Sequence, residues 1–184
     1  MINRRYKFGA GLVLLALCLT LSACQGGRRA KAQPFDHPAE SRLILQVPFE
    51  SSEIGACGPA ALASLMTYNG QPSQTADLVL SLGEKAPSPL ALVVEARQKG
   101  LKAEYRRGRP EEILEAVRGN RPVIVRVDRA APPLDKGHYA VVLGYTPDGP
   151  VVNSCSINQQ IVNWGDFLAA WHKAGNLIIS IEGM

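Results

Sequence analysis

The chain has 184 residues, 46% of them hydrophobic, enough for one domain with a sizeable core. Its formal net charge is +4, but Arg4, Arg5 and Lys7 fall in the first 23 residues, which hold no acid, leaving 17 basic against 16 acidic groups. That balance gives no reason to expect nucleic acid as a partner.

Met1–Lys7 reads as a basic start and Phe8–Leu21 as an apolar stretch of secretory length, short for a membrane span. Leu21-Ser22-Ala23-Cys24 follows and resembles a bacterial lipobox. The resemblance implies that residues 1–23 are a lipoprotein signal peptide, removed before Cys24, and that lipid is attached there. The alternatives are an ordinary signal peptide or an uncleaved anchor. Gln25 after the cysteine resembles the outer-membrane sorting pattern, so a lipid-anchored cell-envelope protein at the outer membrane, facing the periplasm, is expected. Residues 24–41 are rich in Gly, Ala and charge and lack apolar periodicity, so they read as a flexible tether in which His37 is exposed and inert.

The remaining residues, 42–184, read as one domain. Leu43–Val47 is a short strand closed by Pro48. Gly55-Ala56-Cys57-Gly58-Pro59-Ala60-Ala61-Leu62 then opens a helix, with Pro59 in the first turn and Gly70 beyond the end. Cys57 thus sits at the positive end of a helix dipole, which favours thiolate; a small packing cysteine is the alternative. Gln74–Leu82, with Ser73 or Thr75 as cap, Pro89–Lys99, capped by Ser88, and Pro110–Arg118 continue the helical half, with a brief strand at Leu101–Tyr105. After Arg121 the pattern turns to strands: Pro122–Val127, His138–Tyr145, and Val151–Asn153 after the turn Pro147-Asp148-Gly149-Pro150. A short helix over Asp166–Lys173 and a strand over Leu177–Ile181 close the chain. Helices first and an antiparallel sheet after them predict an α+β fold. Trp164, Phe167 and Trp171, at helical spacing, read as core contacts rather than a groove lining.

Nucleophilic cysteine chemistry needs an imidazole that takes the thiol proton and a third group that orients the imidazole. His138 opens one strand and Asn153 closes its hairpin partner, so both fall at one end of the sheet. Taken singly, each has a plainer reading: a partly buried histidine satisfied by backbone, and a turn residue.

The blocks Cys57-Gly58-Pro59-Ala60-Ala61-Leu62, Gly137-His138-Tyr139-Ala140-Val141-Val142-Leu143-Gly144-Tyr145 and Val151-Val152-Asn153 together resemble the C39-type papain-like cysteine peptidases over about residues 43–181. The resemblance implies a papain-like fold with an N-terminal helical half packed on a C-terminal antiparallel sheet. It also implies Cys57 as nucleophile, His138 as general base and acid, Asn153 as orienting residue, and a peptide or protein substrate. Such enzymes usually carry a glutamine five or six residues before the nucleophile to donate to the oxyanion. Ser52 and Ser51 occupy those positions here, and their hydroxyls are the candidate substitutes. No cofactor is expected, and no His/Cys spacing suggests a zinc site. Of the cysteines left in the domain, Cys57 and Cys155, the second is expected to be a separate packing residue, although a bond between them would switch the nucleophile off. A peptidase fold without activity, docking a peptide or partner protein at the envelope, is the other class of function that fits.

Overall fold

The computed structural model describes residues 35–53, 55–83, 87–128 and 137–183. The expected signal peptide and Cys24 lie outside them. The described residues form five helices and seven strands: β1 (Arg42–Leu43), α1 (Cys57–Tyr68), α2 (Thr75–Leu82), α3 (Pro89–Gln98), β2 (Lys102–Arg107), α4 (Pro110–Arg118), β3 (Val123–Val127), β4 (His138–Tyr145), β5 (Pro150–Ser154), β6 (Ile157–Ile161), α5 (Trp164–Lys173) and β7 (Leu177–Glu182). The fold is α+β, as expected. All strands belong to one antiparallel sheet in the order β2-β7-β3-β4-β5-β6, with β1 against the far end of β4.

Helix α1 is the hub of the core. Its residues from Cys57 to Met66 are all buried, with Leu62, Ala63, Leu65 and Met66 fully so. A helix apolar all round needs neighbours all round, and α1 packs against β4 on one side and α2 and α3 on the others. Small residues let those neighbours come close: a Cβ on Gly58 would stand 3.0 Å from Pro87 and 3.1 Å from the Tyr139 ring. Tyr139 is held there by donating its hydroxyl to the Pro87 carbonyl at 2.9 Å, and burial pushes that phenol up to about 12.

The sheet presents two different faces near its β4–β5 hairpin. Tyr139, Val141 and Asn153 share the α1 side, where they line a small gap with Cys57, Ala60, Ala61 and Ser64. His138, Ala140, Val152 and Ser154 face the other side, towards Phe167 and Ala170 of α5. Trp164, Phe167 and Trp171 are buried, as expected for core contacts.

Several elements differ from the sequence reading for identifiable reasons. The strand expected over Leu43–Val47 is only two residues long, because β3 already occupies the β4 edge up to Val142. Ile44 adds one last bond, to the Leu143 carbonyl at 2.9 Å, and Leu45 is 78% exposed. Helix α2 takes Gln74 as its cap, with no side-chain bond; Thr75 donates to Glu50 instead. Helix α5 starts two residues early at Trp164, where the Asn163 side chain accepts from the Gly165 N–H at 2.8 Å. Strand β6 was not expected: three polar residues in a row hide its alternation, and it lies at a sheet edge. Residues 35–41, read as part of a tether, touch the domain. Phe35 meets the Trp164 ring edge-on at 5.0 Å, His37 stacks over it at 6.0 Å while remaining exposed, and Glu40 accepts from Tyr145 at 3.2 Å.

Candidate active site

Cys57 is the first residue of α1. The cap residue, Ala56, brings no side-chain acceptor, and the first turn holds no acid, so nothing on the helix itself offsets its positive end. The preceding loop is tied down at both ends. Ser64 of α1 donates to the Pro48 carbonyl, and the Ser52 N–H donates to the Cys155 carbonyl at 3.0 Å. The two serines considered for the oxyanion differ in setting: Ser51 is exposed, whereas the Ser52 hydroxyl is buried and has no partner among the described residues.

His138 opens β4, and its ring lies between sulfur and a hydroxyl. Nδ1 stands 3.6 Å from the Cys155 sulfur, and Nε2 is 2.7 Å from Ser154 Oγ. Cys57, His138 and Cys155 bring a sulfur, a ring nitrogen and a sulfur within 4.8 Å of one another. Cysteine and imidazole from opposite halves of the chain therefore meet, as the sequence reading required.

Two features of the cluster depart from that reading. Cys155 is bonded to Cys57 rather than separate: the Cα atoms are 4.9 Å apart, within the ordinary range for a disulfide, and the bridge spans 98 residues of sequence. In this form the pair has no thiolate to attack a carbonyl or ligate a metal. The sequence alone could not find the pairing, because the meeting of β5 with the start of α1 is a matter of tertiary packing. Cys155 reaches α1 from a tight turn just beyond β5, its backbone in the left-handed region at φ 40°.

The second departure concerns the group beside the imidazole. Asn153 pairs with Val141 across the hairpin, so its side chain lies on the α1 face, opposite to His138. Its Oδ1 accepts from the Gln159 N–H at 2.9 Å, and its buried Nδ2 has no partner among the described residues. Ser154 stands one residue further, across from Ala140, on the same face as His138. A bulge decides this. From Tyr145↔Pro150 and Gly144↔Val151 the ladder would continue to Val142↔Asn153, but an extra residue, Leu143, shifts it to Val142↔Val152. A one-residue slip exchanges the two faces. The available signal was Gly144 inside an otherwise apolar strand, since a glycine there often marks a bulge or a close approach. A Cβ at that position would come 2.6 Å from the Arg42 carbonyl.

Beside the cluster lies a cavity of about 250 Å³, walled mainly by Val127, Ala140, Val152, Val162, Phe167 and Ala170. His138, Ser154 and Asp166 supply its polar lining. An imidazole at the edge of an apolar hollow is suited to proton transfer on a group bound there.

The family model described as the Peptidase_C39 like family matches residues 44–179. The chain belongs to the C39-like peptidase family. No curated protein matches it. Among solved structures it is similar to a protein of Bacillus anthracis described as a C39-like peptidase (TM-score 0.67, 17% identity, 79% of this chain and 98% of that one). It is also similar to the peptidase domain of Streptococcus ComA, a bi-functional ABC transporter involved in quorum sensing (TM-score 0.61, 20% identity, 78% and 98%). A third likeness is to a double glycine motif protease from an AMS/PCAT transporter, solved with its leader peptide (TM-score 0.61, 17% identity, 78% and 94%). At these identities the likeness shows the papain-like C39 fold, which this C39-like domain shares.

Proposed function

We propose that the protein is a cysteine peptidase of the cell envelope, lipid-anchored through Cys24, whose nucleophile is Cys57 and whose general base is His138. The observation that carries the reading is the helix-start cysteine whose sulfur lies within 4.8 Å of an imidazole nitrogen, in a ring that faces the bonded Cys155 sulfur with Nδ1 and a hydroxyl with Nε2. With the disulfide open, His138 Nδ1 takes the Cys57 proton and the thiolate attacks the peptide carbonyl carbon. The oxyanion forms beside the Cys57 N–H, with the Ser52 hydroxyl as the second donor. The imidazolium gives its proton to the leaving amine, and the thioester is then cleaved by water that His138 deprotonates. Ser154 Oγ, 2.7 Å from Nε2, accepts from Nε2–H in the tautomer that leaves Nδ1 basic. A serine offers orientation without the negative charge of a carboxylate, and as a donor too it does not by itself fix the tautomer. Asn153, the residue expected for that task, is assigned to the β5–β6 bulge instead. The substrate is a peptide or protein.

The disulfide favours a second reading, in which the family fold is kept as a binding module and the bridge is permanent. Cleavage separates the two. Full-length protein is incubated with a quenched-fluorescent random peptide library, oxidised or after treatment with dithiothreitol, beside Cys57→Ala. The peptidase reading expects cleavage by the reduced wild type alone. No cleavage under reduction, or cleavage that survives in Cys57→Ala, contradicts it.

A further inference from the structure

The two sulfurs of the bridge are not equivalent. Cys57 is 6% exposed, enclosed at the start of α1, whereas Cys155 is partly exposed on the turn after β5. A thiolate attacking a disulfide approaches one sulfur along the extension of the S–S bond and expels the other, so the accessible sulfur is attacked and the better leaving group departs. Both conditions select the same direction. Cys155 is the sulfur open to an incoming group, and Cys57 is the one whose thiolate the uncapped, acid-free helix start stabilises. His138 Nδ1, 3.6 Å from Cys155 Sγ, stands where it can receive the proton of the incoming thiol.

From this asymmetry we infer that Cys155 is a thiol-accepting modification site, at which a low-molecular-weight thiol forms a mixed disulfide and frees Cys57. In the first step the external thiol, R–SH, gives its proton to His138 and its sulfur bonds to Cys155 Sγ. The Cys57–Cys155 bond breaks with its electron pair on Cys57, leaving a thiolate beside an imidazolium. A second R–SH then attacks the R sulfur of the mixed disulfide, releasing R–S–S–R and the Cys155 thiol. Two thiols are oxidised and one protein disulfide is reduced. Full reduction is not needed to expose Cys57, because the mixed disulfide already holds it free. The consequence for catalysis rests on the peptidase reading; the direction of exchange does not.

The test uses oxidised full-length protein and glutathione as the thiol. Samples are taken over time, free thiols are trapped with N-ethylmaleimide, and the Cys57 and Cys155 peptides are mapped by mass spectrometry. The expected product carries glutathione on Cys155 and maleimide on Cys57, exceeding the reverse arrangement by about tenfold or more. Glutathione on Cys57, an even distribution, reduction with no adduct at any time, or an unopened bridge each overturns the inference. Incubating the glutathione-treated protein with the peptide library keeps the two ideas apart. An adduct on Cys155 with no cleavage either then or after full reduction by dithiothreitol sinks the peptidase reading and leaves the inference standing. An adduct on Cys57 with cleavage that appears only once dithiothreitol removes it does the opposite.

Discussion

At the scale of single residues, Ser154 and Asn153 are neighbours with separate tasks. Ser154 touches the His138 ring at 2.7 Å, and Asn153 does not face it. Replacing Ser154 with Ala removes the hydroxyl 2.7 Å from Nε2 and with it one of the contacts that orient the ring. In the reduced protein this variant is expected to alkylate Cys57 about tenfold more slowly near neutral pH, with the thiolate titration moved upwards. Iodoacetamide rates measured across pH check it. A merely structural serine would leave that pH profile where it is.

At the scale of elements, the hairpin register explains what the sequence showed and what it hid. Cys57 at a helix start and His138 at a strand start were legible because Pro59, Gly70 and the β-branched runs mark those boundaries locally. The identity of the third group was not, because it depends on the bulge at Leu143, and counting along the hairpin without it puts Asn153 on the wrong face. Strand β6 escaped for a related reason: its register against β5 also shifts, with Gln159 at φ 51° and the Asn153 side chain bonded to its N–H. Asn153 is thus a fastening between two strands. Substituting Ala leaves a backbone N–H without its acceptor and is expected to cost about 1–3 kcal/mol in denaturant unfolding. The reduced variant should keep the wild-type rate of Cys57 alkylation; a loss of reactivity comparable with that of the Ser154 variant would return Asn153 to the imidazole.

At the scale of the whole molecule, one bond joins the start of the helical half to the end of the β4–β5 hairpin, 98 residues away. Closing so long a loop restricts the unfolded chain and typically contributes about 2–4 kcal/mol. The same bond occupies the nucleophile, so stability and reactivity are exchanged when it opens. Two cysteines in one domain were visible from the sequence, but whether they pair depends on where β5 ends relative to α1. That is set by the packing of Tyr139 against Gly58 and by the turn at Cys155, neither of which has a local signature. The core assignment of Trp164, Phe167 and Trp171 was legible because helical spacing carries it, whereas the cavity that Phe167 also lines arises from its apposition to β4 and β5.

The most direct measurement is the rate at which iodoacetamide labels Cys57 in reduced full-length protein as a function of pH, beside His138→Ala and well below the unfolding temperature. A catalytic thiolate paired with His138 predicts rapid labelling at or below neutral pH, faster than at Cys155, and a loss of about 10²-fold or more at neutral pH in the variant. Labelling that follows an ordinary thiol near pH 8.5, unchanged by the loss of His138, would contradict the account.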